Sequence, residues 1–437
     1  MKFIAQSLFG FALFHLPAFA QPPRQEVLTL EKAIQLAIQQ QPSLRQTRAS
    51  VEVARGRVDQ SRVALYPTVS LSATAAIGSA RQTCVTAADG TQTCTGGFFD
   101  PSSSTGVGAS ANWKIYDFGQ TRTNIRAAEL SQQAAEATID VTTQDIRVGV
   151  EVAYLEAVAR RKLVTVAEAT VKSEETHLDQ ARKFVAAQAK DPIEVAQAQA
   201  RAANARSALA QANSAEAIAL ANLRAAIGWL DATSSPSVDA NWPTPPTDEP
   251  QALSTLVDGS RAHRSEIIQL DRQIQAAEAN LTAAEYERRP TLSANASTQW
   301  DPSDYKSDPT WTAGITLSWQ LFDGGKSKAD QRVARANVVG AQAQRDALLV
   351  TLTSTLDSAR SQIIANRANV VASNEAVTAA RAQLRLADAR YTQGLGSQIE
   401  LADAQTAVTT AEGNLVQAQF QLASAWAQLH RAMGLTP

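Results

Sequence analysis

Cysteine is nearly absent from this chain of 437 residues: there are two, Cys84 and Cys94. Histidine is as scarce, with His15, His177, His263 and His430 scattered far apart on helical patterns and read as surface or packing residues. No His/Cys spacing suits a metal site, and no nucleophile–base pair or complete phosphate loop is present, so neither a cofactor nor a catalysed reaction is expected. The formal net charge is only −2, which argues against nucleic acid as a partner. After the N-terminal segment there is no run of 18 apolar residues, and so no transmembrane helix. Proline is missing from 118–191 and from 310–436. Those two stretches are free to form very long helices, because nothing in them removes a backbone donor or locks φ.

What is present begins with an export signal. Lys2 supplies a charge, residues 3–19 are mostly apolar, and Ala18-Phe19-Ala20 offers a small-x-small cleavage site. Cleavage is expected before Gln21, leaving a chain with no cysteine at the new N-terminus to carry a lipid. Four alternating segments then stand out, at 68–77, 107–115, 291–300 and 311–321. In the last, Trp311, Ala313, Ile315, Leu317, Trp319 and Leu321 share one face, and Thr312, Gly314, Thr316, Ser318 and Gln320 share the other. Strands of this length with one apolar and one polar side suit a membrane β-barrel, and Trp300, Trp311 and Trp319 near strand ends suit its interfacial girdles. Cys84 and Cys94 both fall in the polar loop between the first two strands. In an exported protein that placement predicts a disulfide.

The chain is two copies of one unit. Trp113-Lys-Ile-Tyr-Asp-Phe-Gly119 matches Trp319-Gln-Leu-Phe-Asp-Gly-Gly325, and Ala226-Ile-Gly228 matches Ala432-Met-Gly434, both 206 positions apart. Tyr66-Pro67-Thr68 matches Arg289-Pro290-Thr291 at 223 positions. The difference of 17 residues lies between the first two strands, in the loop that holds the cysteines. The expected organisation is a signal at 1–20, a first repeat at 21–233 with its hairpin near 67–117, an irregular linker at 234–250, and a second repeat at 251–437 with its hairpin near 290–322.

Within each repeat a helix leads into the hairpin, followed by a very long helix and another helix. The first starts at Thr29 and is broken by Pro42. Asp117 and Asp323 stand where N-caps belong, at strand-to-helix junctions. The long helices should run from there to about Lys183 and Tyr391, roughly 100 Å at 1.5 Å per residue. Leu349, Leu352, Leu356, Ala359 and Ile363 mark a coiled-coil seam in the second. Gly324-Gly325-Lys326-Ser327 resembles a fragment of a phosphate loop, but its place after a strand suits a plain strand-to-helix turn. Four strands cannot close a barrel, and open edges are not tolerated in lipid, so several chains must combine; three would supply twelve strands.

In their order within this duplicated frame, these pieces resemble the outer membrane factor family, the TolC-type efflux and secretion channels. The carriers are Leu28-Thr-Leu-Glu-Lys-Ala-Ile-Gln-Leu-Ala37 with Pro42, the Tyr66-Pro67 and Arg289-Pro290 junctions, the Trp319 to Gly325 run, and Arg390-Tyr-Thr-Gln-Gly-Leu-Gly-Ser-Gln-Ile-Glu-Leu-Ala-Asp403. The resemblance implies a mainly α protein with a membrane β-barrel portion. It would be a homotrimer with twelve strands in outer membrane lipid and an α-helical tunnel through the periplasm. The implied role is passive export of small molecules, driven by an inner-membrane transporter and joined by a periplasmic adaptor. Protein secretion through a one-step exporter is the near alternative. A structural coiled-coil surface protein is an alternative of another class, though a stalk has no use for paired alternating hairpins.

The resemblance also assigns residues. Glu400 and Asp403 fall where the family carries acids at the tunnel mouth, with Glu194 as the first-repeat equivalent of Glu400. Tyr391 matches an aromatic that helps hold the tip closed. The tip turns expected to meet the adaptor carry Gly394 and Leu395 in the second repeat, and Gln188 and Lys190 in the first. The first turn departs from the pattern: it has no glycine and one extra residue, and Gly396 offers no charge to a neighbouring chain.

Overall fold

The structure, a computed structural model, describes residues 27–79, 83–95, 101–230, 237–239, 241–242, 250–300 and 308–435. The signal segment and most of the 234–250 linker lie outside them. The described part of that linker is not wholly irregular. β6 (Ser237–Val238) pairs in parallel with β1 (Val27–Leu28) and ties the end of the first repeat to its start.

The first repeat continues with α1 (Leu30–Gln40), α2 (Pro42–Val63), β2 (Thr68–Ser79), the small strands β3 (Thr83–Thr86) and β4 (Gln92–Thr95), β5 (Pro101–Tyr116), α3 (Gln120–Ala186) and α4 (Ile193–Ile227). After β6 the second repeat gives α5 (Leu253–His263), α6 (Ser265–Tyr286), β7 (Thr291–Trp300), β8 (Thr310–Ser318), α7 (Lys326–Thr392) and α8 (Gln398–Met433). Pro42 breaks the first helix as its sequence predicts. It sits at the first position of α2, where its missing N–H costs nothing. No described helix is long and apolar enough to cross a membrane.

α3 and α7 are each 67 residues long, so each spans about 100 Å. The short helices α1 and α5 pack near their middles. Ala33, Ile34 and Ala37 of α1 bury against Val150, Tyr154 and Val158 of α3 and Leu223 and Ile227 of α4. In the second repeat Leu256 of α5 joins Leu352, Leu356, Ala359 and Ile363 of α7 and Leu422, Trp426 and Leu429 of α8. Four members of the coiled-coil seam are therefore buried, and Leu349 is half-buried.

Equivalent positions of the two repeats do equivalent work. The indole of Trp113 donates to the Leu65 carbonyl at 3.0 Å, and that of Trp319 donates to the Arg288 carbonyl at 3.2 Å. The Gln41 amide donates to the Ala226 carbonyl at 2.8 Å, and the Arg264 guanidinium donates to the Ala432 carbonyl at 3.4 Å. Gly228 and Gly434 end α4 and α8 in the left-handed conformation, at φ 78° and 70°. A Cβ on either would lie 3.0 Å from the backbone of Gln41 or Arg264, so the helix end and the chain break it packs on leave no space for a side chain. One ion pair is repeated with its charges exchanged: Glu175 with Arg206 on α3 and α4, Arg381 with Glu412 on α7 and α8, both at 2.6 Å.

The strand-to-helix junctions correct one expectation. Asp117 and Asp323 do not occupy the N-cap positions; Gly119 and Gly325 do, at φ 100° and 93°. The carboxylates reach the first turn from two residues upstream. Asp117 accepts from the N–H of Thr121 at 2.9 Å and from its hydroxyl, and Asp323 accepts from the N–H of Ser327 at 2.9 Å and from its hydroxyl. Burial works against the Asp117 charge, but the two bonds from Thr121 outweigh it and keep the carboxyl below its usual range. The bonds from Ser327 hold Asp323 down to about 2. Lys326 of the glycine-rich run pairs with Glu287 at 2.6 Å and Asp330 at 2.7 Å, as part of the turn.

The four long strands form one antiparallel sheet in the order β2-β5-β7-β8. Register aligns their faces. Leu71 pairs with Ala109, Ala111 with Ala296, and Ala294 with Ile315, so the apolar residues of all four strands lie on one side. Ser70 pairs with Ser110, Ser110 with Ser297, and Ser297 with Thr312, so the small polar residues share the other. Trp113 and Trp300 stand on the apolar side, six residues apart by register, which is about 20 Å along the strands. The last strand is shorter than its alternation predicts. β8 stops at Ser318, leaving Trp319 to Leu321 outside it. Between β2 and β5, β3 and β4 form a separate hairpin in which Cys84 pairs with Cys94, their sulfurs bonded at 1.95 Å.

Candidate functional site

At the end of the long helices away from the sheet, two turns lie side by side. In the second, α7 stops at Thr392 and α8 starts at Gln398 after a turn of five residues. Gly394 takes the left-handed conformation at φ 75°. In the first, α3 and α4 are separated by six residues, and Gln188 takes the same conformation at φ 58°. Gln188 is 206 positions before Gly394. The turn geometry is therefore kept without the glycine, with a residue that rarely adopts it.

The first turn holds no extra residue after all: Gln188 and Gly394, Glu194 and Glu400, and Gly228 and Gly434 all stand 206 apart, and α4 merely starts one position later in the repeat than α8. Lys190 lies against the second turn. Its ammonium donates to the Gly396 carbonyl at 3.2 Å, lies 3.5 Å from a Glu194 oxygen, and sits 5.5 Å from the centre of the Tyr391 ring. Tyr391 is fully buried. Its hydroxyl donates to Glu194 Oε2 at 3.1 Å, and its ring meets Phe184 edge-on at 5.6 Å. Ala387, Leu401 and Ala404 complete the apolar packing around it. Desolvation pushes the Tyr391 phenol up to about 12, with the charge and hydrogen bond of Glu194 acting in the same direction. Gly396 has no room for more: a Cβ there would lie 3.0 Å from the Tyr391 nitrogen.

The structure thus brings Tyr391, Glu194 and Lys190 together and leaves Glu400 and Asp403 apart from them. Those two share the exposed face of the first turns of α8. The Glu400 N–H donates to Ser397 Oγ at 3.1 Å, and its carboxylate lies 3.5 Å from Arg390. Asp403 borders a shallow groove with Ala372, Ser373, Ala376 and Thr406, between α7 and α8. Leu395 is exposed at the tip of the second turn, and Gln188 at the tip of the first.

Sequence reasoning missed three participants. Phe184 and the Gly396 carbonyl carry no pattern of their own; the offset of 206 makes Lys190 and Gly396 repeat counterparts but says nothing of their contact. Gln398 is 3 % exposed, yet neither end of its side-chain amide has a partner. Nothing in the sequence marks it. Above the turns a polar seam joins the repeats, with Ser173 donating to Gln405 at 2.7 Å and Thr170 meeting Thr409 at 3.0 Å.

The family model described as outer membrane efflux protein matches residues 33–229 and 256–435. Outer membrane efflux protein BepC of Brucella suis is 26% identical over 330 residues, 73% of this chain and 71% of BepC. Protein CyaE of Bordetella pertussis is 29% identical over 394 residues, 88% of this chain and 80% of CyaE. The CmeC outer membrane channel of Campylobacter jejuni shares the fold at a TM-score of 0.76 and 16% identity, over 93% of this chain and 85% of that one. The match of the family model across both repeats shows that this chain belongs to the outer membrane efflux protein family.

Proposed function

We propose that three copies of this chain close a twelve-stranded barrel in the outer membrane and that their helices form the tunnel beneath it, a passive duct for small molecules. An inner-membrane transporter would supply the energy and a periplasmic adaptor would join it to the turns at Gln188–Lys190 and Gly394–Leu395. The register of the sheet carries this reading. It gathers apolar residues of four strands on one face and polar residues on the other, and it leaves β2 and β8 as edges without partners among the described residues. Such edges need closure in lipid, and only further copies can supply it at the same curvature. Two aromatic rows about 20 Å apart suit the two faces of the hydrocarbon layer.

At the other end, Glu400 and Asp403 from three chains would place six carboxylates at the mouth and favour cations there. Lys190, Glu194 and Tyr391 would hold the two turns of each chain together in the closed state. Chemical cross-linking of the protein in detergent tests the assembly. A species of three chains supports it, and a monomer recovered from the soluble periplasm overturns it.

A further inference from the structure

The two long helices begin with the same charges in the same places. Arg122 and Arg126 stand in the first two turns of α3, and Lys328 and Arg332 stand 206 positions later in the first two turns of α7. All four are exposed. Among the described residues none of the four side chains has an ion-pair or hydrogen-bond partner. The acids beside them are engaged elsewhere, Glu129 with Arg62 at 2.9 Å and Asp330 with Lys326 at 2.7 Å.

A helix resists this arrangement. Its first turn is the positive end of its dipole, which disfavours Arg122 and Lys328 at the third position, and neither helix has an acid in that turn to offset them. A like charge follows each of them four residues later and repels it. Cations placed twice over where the helix opposes them call for an anion from outside the chain.

Their level and their face locate that anion. Arg62 meets Glu129, and Arg55 meets Glu136, seven residues on in each helix, so α2 and α3 run antiparallel in step and Leu65 falls level with Arg126. The Leu65 carbonyl is the one that accepts from the Trp113 indole, and its counterpart in the second repeat, on Arg288, accepts from Trp319. The cations thus stand at the aromatic row nearer the helices. Arg122 also shares a cavity of about 180 Å³ with Leu65, Lys114 and the exposed rings of Tyr116 and Phe118. As for the face, α3 buries Val150, Ala157, Val164 and Leu178 at heptad spacings, so residues whole heptads apart keep one side. Tyr154 lies four heptads below Arg126, and Arg360 four heptads below Arg332. Tyr154 donates to the Leu28 carbonyl at 3.1 Å and Arg360 to the Gln251 carbonyl at 3.2 Å, just ahead of α1 and α5. The cations share the side on which the short helices pack. That side is the outer one, since helices packed within would obstruct a duct.

We propose, on the reading of the sheet as part of an outer membrane barrel, that Arg122, Arg126, Lys328 and Arg332 bind the phosphate headgroups of anionic phospholipids in the periplasmic leaflet. Three copies would set twelve cations as a collar directly beneath the barrel. The collar anchors the protein at a fixed depth, with the aromatic row above it in the same interface.

The full-length protein in phosphatidylcholine vesicles, probed with lipids spin-labelled on the acyl chain, tests this. The protein should hold phosphatidylglycerol roughly fivefold more strongly than phosphatidylcholine, about the effect of one basic residue at an anionic leaflet, and the preference should shrink in high salt. Arg122→Gln, Arg126→Gln, Lys328→Gln and Arg332→Gln together should bring the ratio to about one. Exchanging Arg for Lys and Lys for Arg at the same positions should keep it. If the fourfold variant does not assemble, the α3 pair or the α7 pair changed alone should still lower the ratio. Equal retention of the two lipids by the unaltered protein overturns the proposal, and so does a preference that survives the fourfold change. A preference abolished by free glycerol 3-phosphate overturns it too, since the site would then take a soluble anion. Altered ion selectivity in planar bilayers with an unaltered lipid ratio places the cations in the duct and also overturns it. A lysine-reactive cross-linker applied to the same vesicles separates this from the barrel reading. Three chains without lipid preference sink the collar alone; protein that neither stays in the vesicles nor forms a trimer sinks both.

Discussion

The phenol of Tyr391 donates to the carboxylate of Glu194 at 3.1 Å, although the two residues are 197 positions apart and belong to different repeats. Lys190 holds the same carboxylate and the Gly396 carbonyl, so one ammonium spans both turns. All three side chains are mostly shielded, which lets charge-assisted bonds count. Lys190→Met should release about 1.5 kcal/mol of closed-state stability, the low end for a bond to a charged group, or roughly a tenfold shift toward open. Single-channel recording should show larger or longer openings, and Lys190→Arg should restore much of the closed behaviour. Unchanged conductance in Lys190→Met would remove the lysine from the closure.

The same contact sets a high-pH limit. The Tyr391 phenol is raised from 10 to about 12 in the folded tip, so its contribution is whole below pH 10 and is lost as pH rises through 12. Burial also raises the Tyr154 phenol, so tyrosinate absorbance should show more than one phenol ionising late, with loosening of the tip accompanying the share that belongs to Tyr391. Tyr391→Phe should remove that share and leave the part due to Tyr154.

Glu400 and Asp403 share an exposed helix face three positions apart. Changing both to Ala should weaken cation preference and reduce block by multivalent cations in planar bilayers. Stability should move little, since exposed charges contribute at most about 1 kcal/mol. Wild-type selectivity in the double variant would show that the carboxylates face away from the conducting path.

The bonded pair Cys84–Cys94 closes a small hairpin that is separate from the four-stranded sheet. Cys84→Ser should leave oligomerisation intact and cost locally no more than about 2–3 kcal/mol. An impermeant thiol reagent should label intact wild-type cells only after reduction. Labelling without reduction would contradict the bond.

Asp323 secures the first turn of α7 through Ser327, and its carboxyl is held near 2. A lowered carboxyl stabilises the fold above its unfolded value near 3.8, and that contribution fades as pH falls through about 2. Asp323→Ala should therefore speed amide exchange at the start of α7 at neutral pH. The equivalent change at Asp117, which is buried, should cost about 1 kcal/mol as loss of a cap does. No change in exchange at either helix start would show that the glycines alone set the turns.

Much of this architecture was legible because it rests on strong local signals. Proline-free stretches became 67-residue helices, and alternation over four segments became four strands. Where reading fell short, the deciding interaction was remote. The alternation from Trp311 to Leu321 is real, yet a strand needs a partner, and within the chain the partner ends opposite Ser318. Asp117 and Asp323 sit two residues before the cap positions that the sequence assigns them, because the left-handed residues at 118–119 and 324–325 that let them reach the first turn are set by the turn as a whole. At the tip, Gly394 announces its turn while Gln188 does not, because a left-handed φ at a non-glycine residue carries no mark in the sequence. The meeting of Lys190 with Gly396 depends on two turns that no local pattern connects.

The two 67-residue helices are equal although the copies differ elsewhere, by 17 residues in the hairpin loop. Length is free where the chain ends in solvent and fixed where two copies must arrive at one plane. Seven residues added to α7 alone would stagger the turns by about 10 Å and part Tyr391 from Glu194. The pair of helices therefore works as two legs of one ruler: the span of the molecule can change only if both are recut together.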